Sequence, residues 1–181
     1  MPIVWTQDPA ANQLLETDPL ALLIGMVLDQ QVKMEKAFGG PYELKQRLGH
    51  LDARRIAEMD PQKLDQVFRE RPALHRFPGS MASRVQAMCA AVVADYGGDG
   101  ASIWRDARNG DELAARIKKL PGFGDMKTKI LVSILAKKFG VKPPGWEKQA
   151  ATWHSVADVD SEESMVHARE VKREMKAKAK H

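Results

Sequence analysis

This sequence of 181 residues carries a formal net charge of +4 and is long enough for one compact domain or for two small lobes that share an interface. Apolar residues make up 44% of it and charged residues 29%, and no apolar run reaches the roughly 18–20 residues that a membrane span needs. Cys89 is the only cysteine and the histidines are scattered, which excludes an internal disulfide, a four-cysteine iron–sulfur site and a typical zinc site.

The N-terminal segment lacks the basic and apolar regions of a signal peptide, so we expect a cytoplasmic protein. Farther along, Thr17-Asp18-Pro19 predicts a helix start, because Asp18 can cap the helix and proline is favoured at the first helical position. The residues that follow are apolar on nearly every side until Asp29. They predict a central buried helix that ends at residues 39–41, Gly-Gly-Pro.

The rest of the chain also has helical spacing, and no segment shows sustained alternation with a period of two. A polar connector is expected at 155–160, and a charged helix is expected to begin at Ser161 and to fray near the C-terminus. The sequence therefore predicts an all-α fold, with one helical domain over 1–160 and a charged C-terminal helix and tail over 161–181. The other predicted helices cover 42–48, 52–59, 61–68, 81–96 capped by Ser80, 112–119 capped by Asp111, and 126–139.

Basic charge is concentrated in one segment of the chain. Between Arg116 and Lys148 there are nine lysines and arginines against Asp125 and Glu147, a net charge of +7, so the remainder carries −3. Concentrated positive charge attracts a polyphosphate backbone by Coulomb attraction and counterion release. The alternative is a lysine-rich helix face that is merely solvated.

The basic segment surrounds a tight turn, LPGFG at 120–124, which precedes a predicted helix. Glycine permits a positive φ and leaves no side chain between main-chain N–H groups and a ligand. The N-terminus of the next helix favours an anion, and Lys127 and Lys129 add charge beside it. These features predict a phosphate-binding turn, although Gly122 and Gly124 would also suit an ordinary corner between two helices.

This turn resembles the hairpin of the helix–hairpin–helix (HhH-GPD) DNA glycosylases, the superfamily of endonuclease III and 3-methyladenine glycosylase. Residues 77–86 are similar to a loop and helix start of that family, and 22–31 to its buried helix that ends in glutamine beside the base pocket. The resemblance covers roughly 20–148 and implies a two-lobed helical fold that binds DNA. It implies a base pocket at Gln30, Gln31 and Trp146. The DNA-binding candidates are Leu120, Pro121, Gly122, Phe123, Gly124, Lys127, Thr128, Lys129 and Arg84.

Two positions depart from the family pattern. The family carries an aspartate in the loop after the hairpin helix, where an anion stabilises positive charge on the sugar. Here the nearest carboxylate is Glu147, our candidate catalytic residue, and Asp158 lies farther on. The nucleophilic lysine of bifunctional members stands two residues after the second glycine, a position that Met126 occupies. Lys127 is rotated from it by about 100°, so we expect it to contact phosphate and lyase activity to be absent.

The resemblance thus implies a monofunctional glycosylase that hydrolyses the N-glycosidic bond of a damaged base. A non-enzymatic DNA-binding module of the same fold is the alternative, and a helical interaction protein with a solvated basic face is a third. The expected partner is lesion-containing double-stranded DNA, bound by a monomer and without a membrane. No iron–sulfur cluster is expected, and the family implies at most a monovalent cation at the hairpin carbonyls.

Overall fold

The computed structural model describes residues 2–179. The regular secondary structure among them is helical with no strand, which confirms the predicted all-α class. Two 3₁₀ helices, Trp146–Gln149 and Val156–Asp158, precede the last α-helix. The α-helices are α1 (Pro9–Thr17), α2 (Pro19–Leu28), α3 (Met34–Leu48), α4 (Ala53–Glu58), α5 (Pro61–Arg69), α6 (Pro78–Tyr96), α7 (Ser102–Arg105), α8 (Gly110–Lys118), α9 (Asp125–Phe139) and α10 (Glu162–Ala179).

Helices α1, α2 and α5 all begin at an Asp-Pro pair. In each case the aspartate carboxylate accepts a hydrogen bond from the main-chain N–H two residues later, and the proline occupies the first helical position. The proline loses nothing there, because that N–H would have no partner within the helix. The starts of α2 and α5 are confirmed, whereas α1, capped by Asp8, was not predicted.

The predicted end of the buried helix is wrong. Helix α2 stops at Leu28, the chain turns through Gln31 with a φ of 57°, and residues 39–41 lie inside α3. Gly40 packs against Leu28, where an added Cβ would come within 2.5 Å of the Leu28 Cδ1 atom. Glycine at this position allows two helices to approach closely, and it does not end one.

Three smaller boundaries also differ from the sequence prediction. Helix α6 begins at Pro78 rather than after Ser80. Helix α8 begins one residue before Asp111, because the side chain of Asn109 accepts the capping hydrogen bond from the N–H of Glu112. The expected connector at 155–160 contains a 3₁₀ helix whose capping box joins Ser155 and Asp158. The predicted fraying of the C-terminal helix is not seen up to Ala179, and the last two residues lie outside the described part of the chain.

The helices pack in two groups around a continuous apolar core. Helix α2 is central to the first group, where it contacts α1, α3 and α6, and every residue from Leu20 to Leu28 is buried. In the second group α9 packs against α8 and both 3₁₀ helices, and α10 contacts the second of these. The hairpin between α8 and α9 and the C-terminal end of α2 meet where the two groups join.

Candidate nucleic-acid interface

The hairpin between α8 and α9 is anchored in the core on one side and exposed to solvent on the other. Leu120 and Phe123 are buried in the core, and the Phe123 N–H donates to the Leu120 carbonyl at 3.1 Å. Pro121, Gly122 and Gly124 are exposed. Two apolar anchors therefore hold the turn while its main chain stays accessible to a phosphate or to a cation.

The two hairpin glycines differ in their conformation. Gly122 has a φ of 92°, in the region that favours glycine, and a Cβ there would lie 3.6 Å from Val27. Gly124 caps α9 with a φ of −88°, which any residue adopts, and a Cβ there would meet nothing within 4 Å. The turn geometry thus requires glycine only at 122, and close approach of a ligand is the remaining reason for Gly124.

The first turn of α9 carries both signs of charge. Asp125 forms an ion pair with Lys118, whose hydrogen bond and charge hold the pKa of the Asp125 carboxyl below its ordinary range. Lys129 is exposed one turn later, whereas Thr128 between them is buried. A phosphate at this helix end would therefore meet main-chain donors, Lys129 and a carboxylate that Lys118 already neutralises.

The basic segment presents less charge to solvent than its sequence indicates. Arg116 donates to the carbonyls of Ser102 and Ile103, and buried Lys138 donates to the carbonyl of Val159 at 2.8 Å. Lys127 also points inward. The cations of this segment that are exposed are Lys118, Lys119, Lys129, Lys137, Lys142 and Lys148.

Lys127 does not have the expected orientation toward phosphate. Its Nζ atom donates to the carbonyls of Met26 and Val27, at 2.6 and 3.2 Å, in the last turn of α2. Burial lowers the pKa of Lys127 to about 8, although the carboxylate of Asp29 acts in the opposite direction. This lysine joins the hairpin helix to the end of α2.

The glutamine that follows α2 lies in the same cluster. The Gln30 amide nitrogen donates to the Val27 carbonyl at 2.9 Å, and its oxygen accepts from Arg84 at 2.6 Å. The ring of buried His75 lies 2.9 Å from the Gln30 carbonyl oxygen. The structure thus brings together three of the sequence candidates, Gln30, Arg84 and Lys127, while Gln31 is exposed beside them.

Asp29 belongs to this cluster and was not singled out from the sequence. It is only 8% exposed, and its carboxylate forms an ion pair with Lys172 of α10 at 2.8 Å. The available signal was an acid that ends an otherwise apolar helix, directly before Gln30. Its nearness to Lys127 depends on the packing of α9 and α10, which local spacing does not reveal.

Trp146 and Glu147 lie elsewhere. Trp146 is half-buried against the core and Glu147 is exposed. The segment they start lies along a different side of α9, where the Ala151 N–H donates to the Ser133 hydroxyl at 2.9 Å. Ser133 is about 120° around that helix from Lys127. Within residues 2–179, no hydrogen bond or ion pair joins Trp146 or Glu147 to the cluster at the end of α2.

Asp158, the second carboxylate after the hairpin helix, has a structural partner. It forms an ion pair with Lys137 and accepts from the Ser155 N–H at 3.0 Å. Among the described residues there is no group of three or more histidines, cysteines and acids that could hold a metal ion. No helix in that part of the chain is both long and apolar enough to cross a membrane.

Comparison with known families gives one result. A family model described as "HhH-GPD superfamily base excision DNA repair protein" matches residues 24–180. This range begins inside α2 and includes the hairpin, the cluster at the end of α2 and all of α10. No curated protein and no solved structure matches the chain.

Proposed function

The chain belongs to the HhH-GPD superfamily of base excision DNA repair proteins, and from this membership we propose that it removes a damaged base from duplex DNA by cleaving the N-glycosidic bond. The observation that carries the proposal is the cluster at the end of α2. There a nearly buried carboxylate, Asp29, lies with Gln30 and a desolvated lysine, Lys127, beside an open hairpin.

The hairpin would hold the DNA backbone. Its exposed main chain at Pro121, Gly122 and Gly124 can face a phosphate without an intervening side chain, and the N-terminus of α9 adds a favourable dipole. A monovalent cation held by these main-chain groups would supply positive charge toward the same phosphate. Lys119 and Lys129 are exposed on either side of the turn and would add long-range attraction.

The glutamines after α2 would border the extruded nucleotide. Enzymes that act on a base in duplex DNA must take it out of the stack and read its polar edge. Gln30 is already held by Arg84 and by the Val27 carbonyl, so its amide is oriented before a ligand arrives. Gln31 has a positive φ and an exposed side chain, which suits a residue that fills the gap left in the duplex.

Bond cleavage would need an anion near the sugar, because positive charge develops on the sugar as the base departs with the bonding electrons. We propose Asp29 for this role, since it is desolvated and lies in the cluster, whereas Glu147 is exposed on another side of α9. Water would then bond to the anomeric carbon, and its proton would leave with the base or the solvent. Lys127 would stay a hydrogen-bond donor to α2, without forming a Schiff base.

The test is base release from a panel of duplexes that carry uracil, hypoxanthine, alkylated or oxidised bases, measured after alkaline cleavage of the abasic product. Asp29→Asn should slow release by about 10²–10³-fold, the usual effect of removing one stabilising group from such a site. The matched variant Glu147→Gln should leave release nearly unchanged. The reverse result would assign the charge to Glu147. Trapping of a covalent complex by borohydride would contradict the proposed role of Lys127.

A non-enzymatic DNA-binding module of the same fold is the second candidate. It is favoured by the exposed Glu147, which stands in the loop where the family resemblance implies a catalytic aspartate. Tight binding of abasic or distorted duplex without release of any base in the panel would support this function instead. The hairpin and its main-chain contacts would serve both functions equally.

A further inference from the structure

The C-terminal helix α10 lies across the end of α2 with few buried contacts of its own. Of its 18 residues only Met165 and Ala168 are buried, and both lie in its N-terminal half. Farther along, Lys172 of α10 forms an ion pair with Asp29, and Arg169 forms one with Glu35. Beyond Ala168, charged contacts and half-buried side chains such as Met175 therefore take the place of fully buried apolar contacts.

The ion pair between Arg169 and Glu35 leaves polar atoms without partners. One carboxylate oxygen of Glu35 and the Nε atom of Arg169 are buried and have no hydrogen-bond partner within the described residues. A buried polar group without a partner destabilises the state that buries it. This pair therefore stabilises the docked position of α10 less than a fully hydrogen-bonded ion pair would.

A small, partly open cavity lies beneath α10. It has a volume of about 50 Å³, and Asp29 lies at its wall. Pockets for small ligands usually measure about 300–1,000 Å³, so in this conformation there is room for little more than a water molecule. The other lining residues that matter here are Met126, Ile130, Trp153, His154 and Met175.

We infer that α10 is a movable cover over a binding pocket for an extrahelical nucleobase. The inference rests on the proposed function. Trp153 offers a flat face for stacking, and the methionine and isoleucine side chains offer apolar contact on the other sides. Among the polar groups of the lining, His154 could read the edge of a heterocycle, while Asp29 keeps the role at the sugar proposed above.

DNA itself would open the cover. Outside the cavity, four basic residues of α10 line a groove that reaches Gln31 and Lys33. Two of these four, Arg169 and Lys172, are the cations that form the ion pairs with Glu35 and Asp29. A phosphate placed in this groove competes with Asp29 and Glu35 for those cations. Binding of the backbone would therefore release the carboxylate and uncover the pocket at the same time.

The experiment uses the full-length protein and a duplex with a single 2-aminopurine, whose fluorescence changes when the base leaves the stack and again when it stacks on an aromatic ring. The second fluorescence change, which reports stacking on the aromatic ring, is the second phase. Lys172→Gln should speed this phase about two- to fivefold, in line with the usual strength of such an ion pair. Arg169→Gln should do the same. The control Lys178→Gln removes one exposed cation from the same helix, outside the groove, and should leave that rate unchanged. Trp153→Leu should retain binding and lose the second fluorescence change.

Duplex affinity is measured for the same variants, so that failure of the cover can be distinguished from failure of DNA binding. If Lys172→Gln and Lys178→Gln bind duplex and show equal rates for the second fluorescence change, the cover is overturned and the proposed function still stands. A second phase that persists in Trp153→Leu would overturn the pocket. If the wild-type protein binds no duplex at all, the proposed function fails and this inference fails with it.

Discussion

Lys127 shows how one side chain can couple the hairpin helix to the end of α2. Its ammonium donates to the Met26 and Val27 carbonyls in the last turn of α2, which also accept from the Asp29 N–H and the Gln30 amide. The contact adds a charged donor to these groups but places a cation in a desolvated site. Burial lowers the pKa of Lys127 to about 8, and this shift gives a test of the packing.

We predict a pH-dependent stability that belongs to Lys127. Because its folded-state pKa is near 8 and its ordinary value is 10.5, the unfolded chain binds more protons between these pH values, so the free energy of unfolding should rise with pH there. Relative to Lys127→Met, the wild type should gain at most about 3 kcal/mol across that window. Urea unfolding of both proteins at about pH 7, 8.5 and 10 would measure the difference.

The same titration contains its own control. Burial raises the pKa of Cys89 to about 12, which lowers stability at high pH, but it does so equally in both proteins and cancels in the difference. Parallel curves for wild type and Lys127→Met would show that the lysine is not desolvated in solution.

Residue types were easier to predict from the sequence than the directions of their side chains. The sequence places Lys127 beside the turn. The direction of its side chain, however, depends on where the end of α2 lies. Asp29 and Glu147 show the same limit. Both are carboxylates near recognisable motifs, and only tertiary packing decides which of them lies in the cluster at the end of α2.

At the scale of single elements, the hairpin allows a test that separates folding from binding. Gly124→Ala places a methyl group on the exposed main chain without a clash. The reduced freedom of the unfolded chain opposes the cost of a poorer N-cap, so stability should change by no more than about 1 kcal/mol. Duplex affinity should fall at least tenfold, about 1.4 kcal/mol, because the methyl group blocks the approach of phosphate. Thermal unfolding and a duplex titration measure the two effects.

Gly122→Ala is the matched control within the same turn. Its φ of 92° is unfavourable for alanine, so this variant should lose stability by about 1–3 kcal/mol as well as affinity. Normal DNA binding by Gly124→Ala would mean that the turn is an ordinary corner between two helices.

Helix starts could be predicted where the capping residues are local in the sequence. Helix ends could not be predicted where they depend on contacts with another helix. The Asp-Pro pairs that begin α2 and α5 contain their own capping groups, so a few residues suffice to identify them. Gly40 resembles a helix stop in the sequence, yet it lies inside α3 because Leu28 of another helix packs on it. That contact exists only after both helices have formed.

At the scale of the whole molecule, some cations of the basic segment bind carbonyls inside the protein and others are exposed on its surface. Arg116, Lys127 and Lys138 donate to carbonyls inside the protein, where they stabilise helix ends and connections. The sum of charges in the sequence identifies a segment with net positive charge, but it cannot separate these three side chains from the exposed lysines. The attraction for a polyphosphate therefore depends on fewer residues than the net charge of the segment indicates.

Duplex binding should accordingly depend on salt through a small number of lysines. The logarithm of the affinity should fall linearly with the logarithm of salt concentration, and each phosphate contact adds about 0.9 to the steepness of the slope. Lys119 and Lys129 are exposed at the hairpin and have no ion-pair partner within residues 2–179. Lys129→Ala and Lys119→Ala should each reduce the slope by up to about one unit and weaken different duplex sequences alike. Lys45→Ala, which removes an exposed lysine from α3, should leave the slope unchanged, and a wild-type slope near zero would contradict phosphate binding by the hairpin.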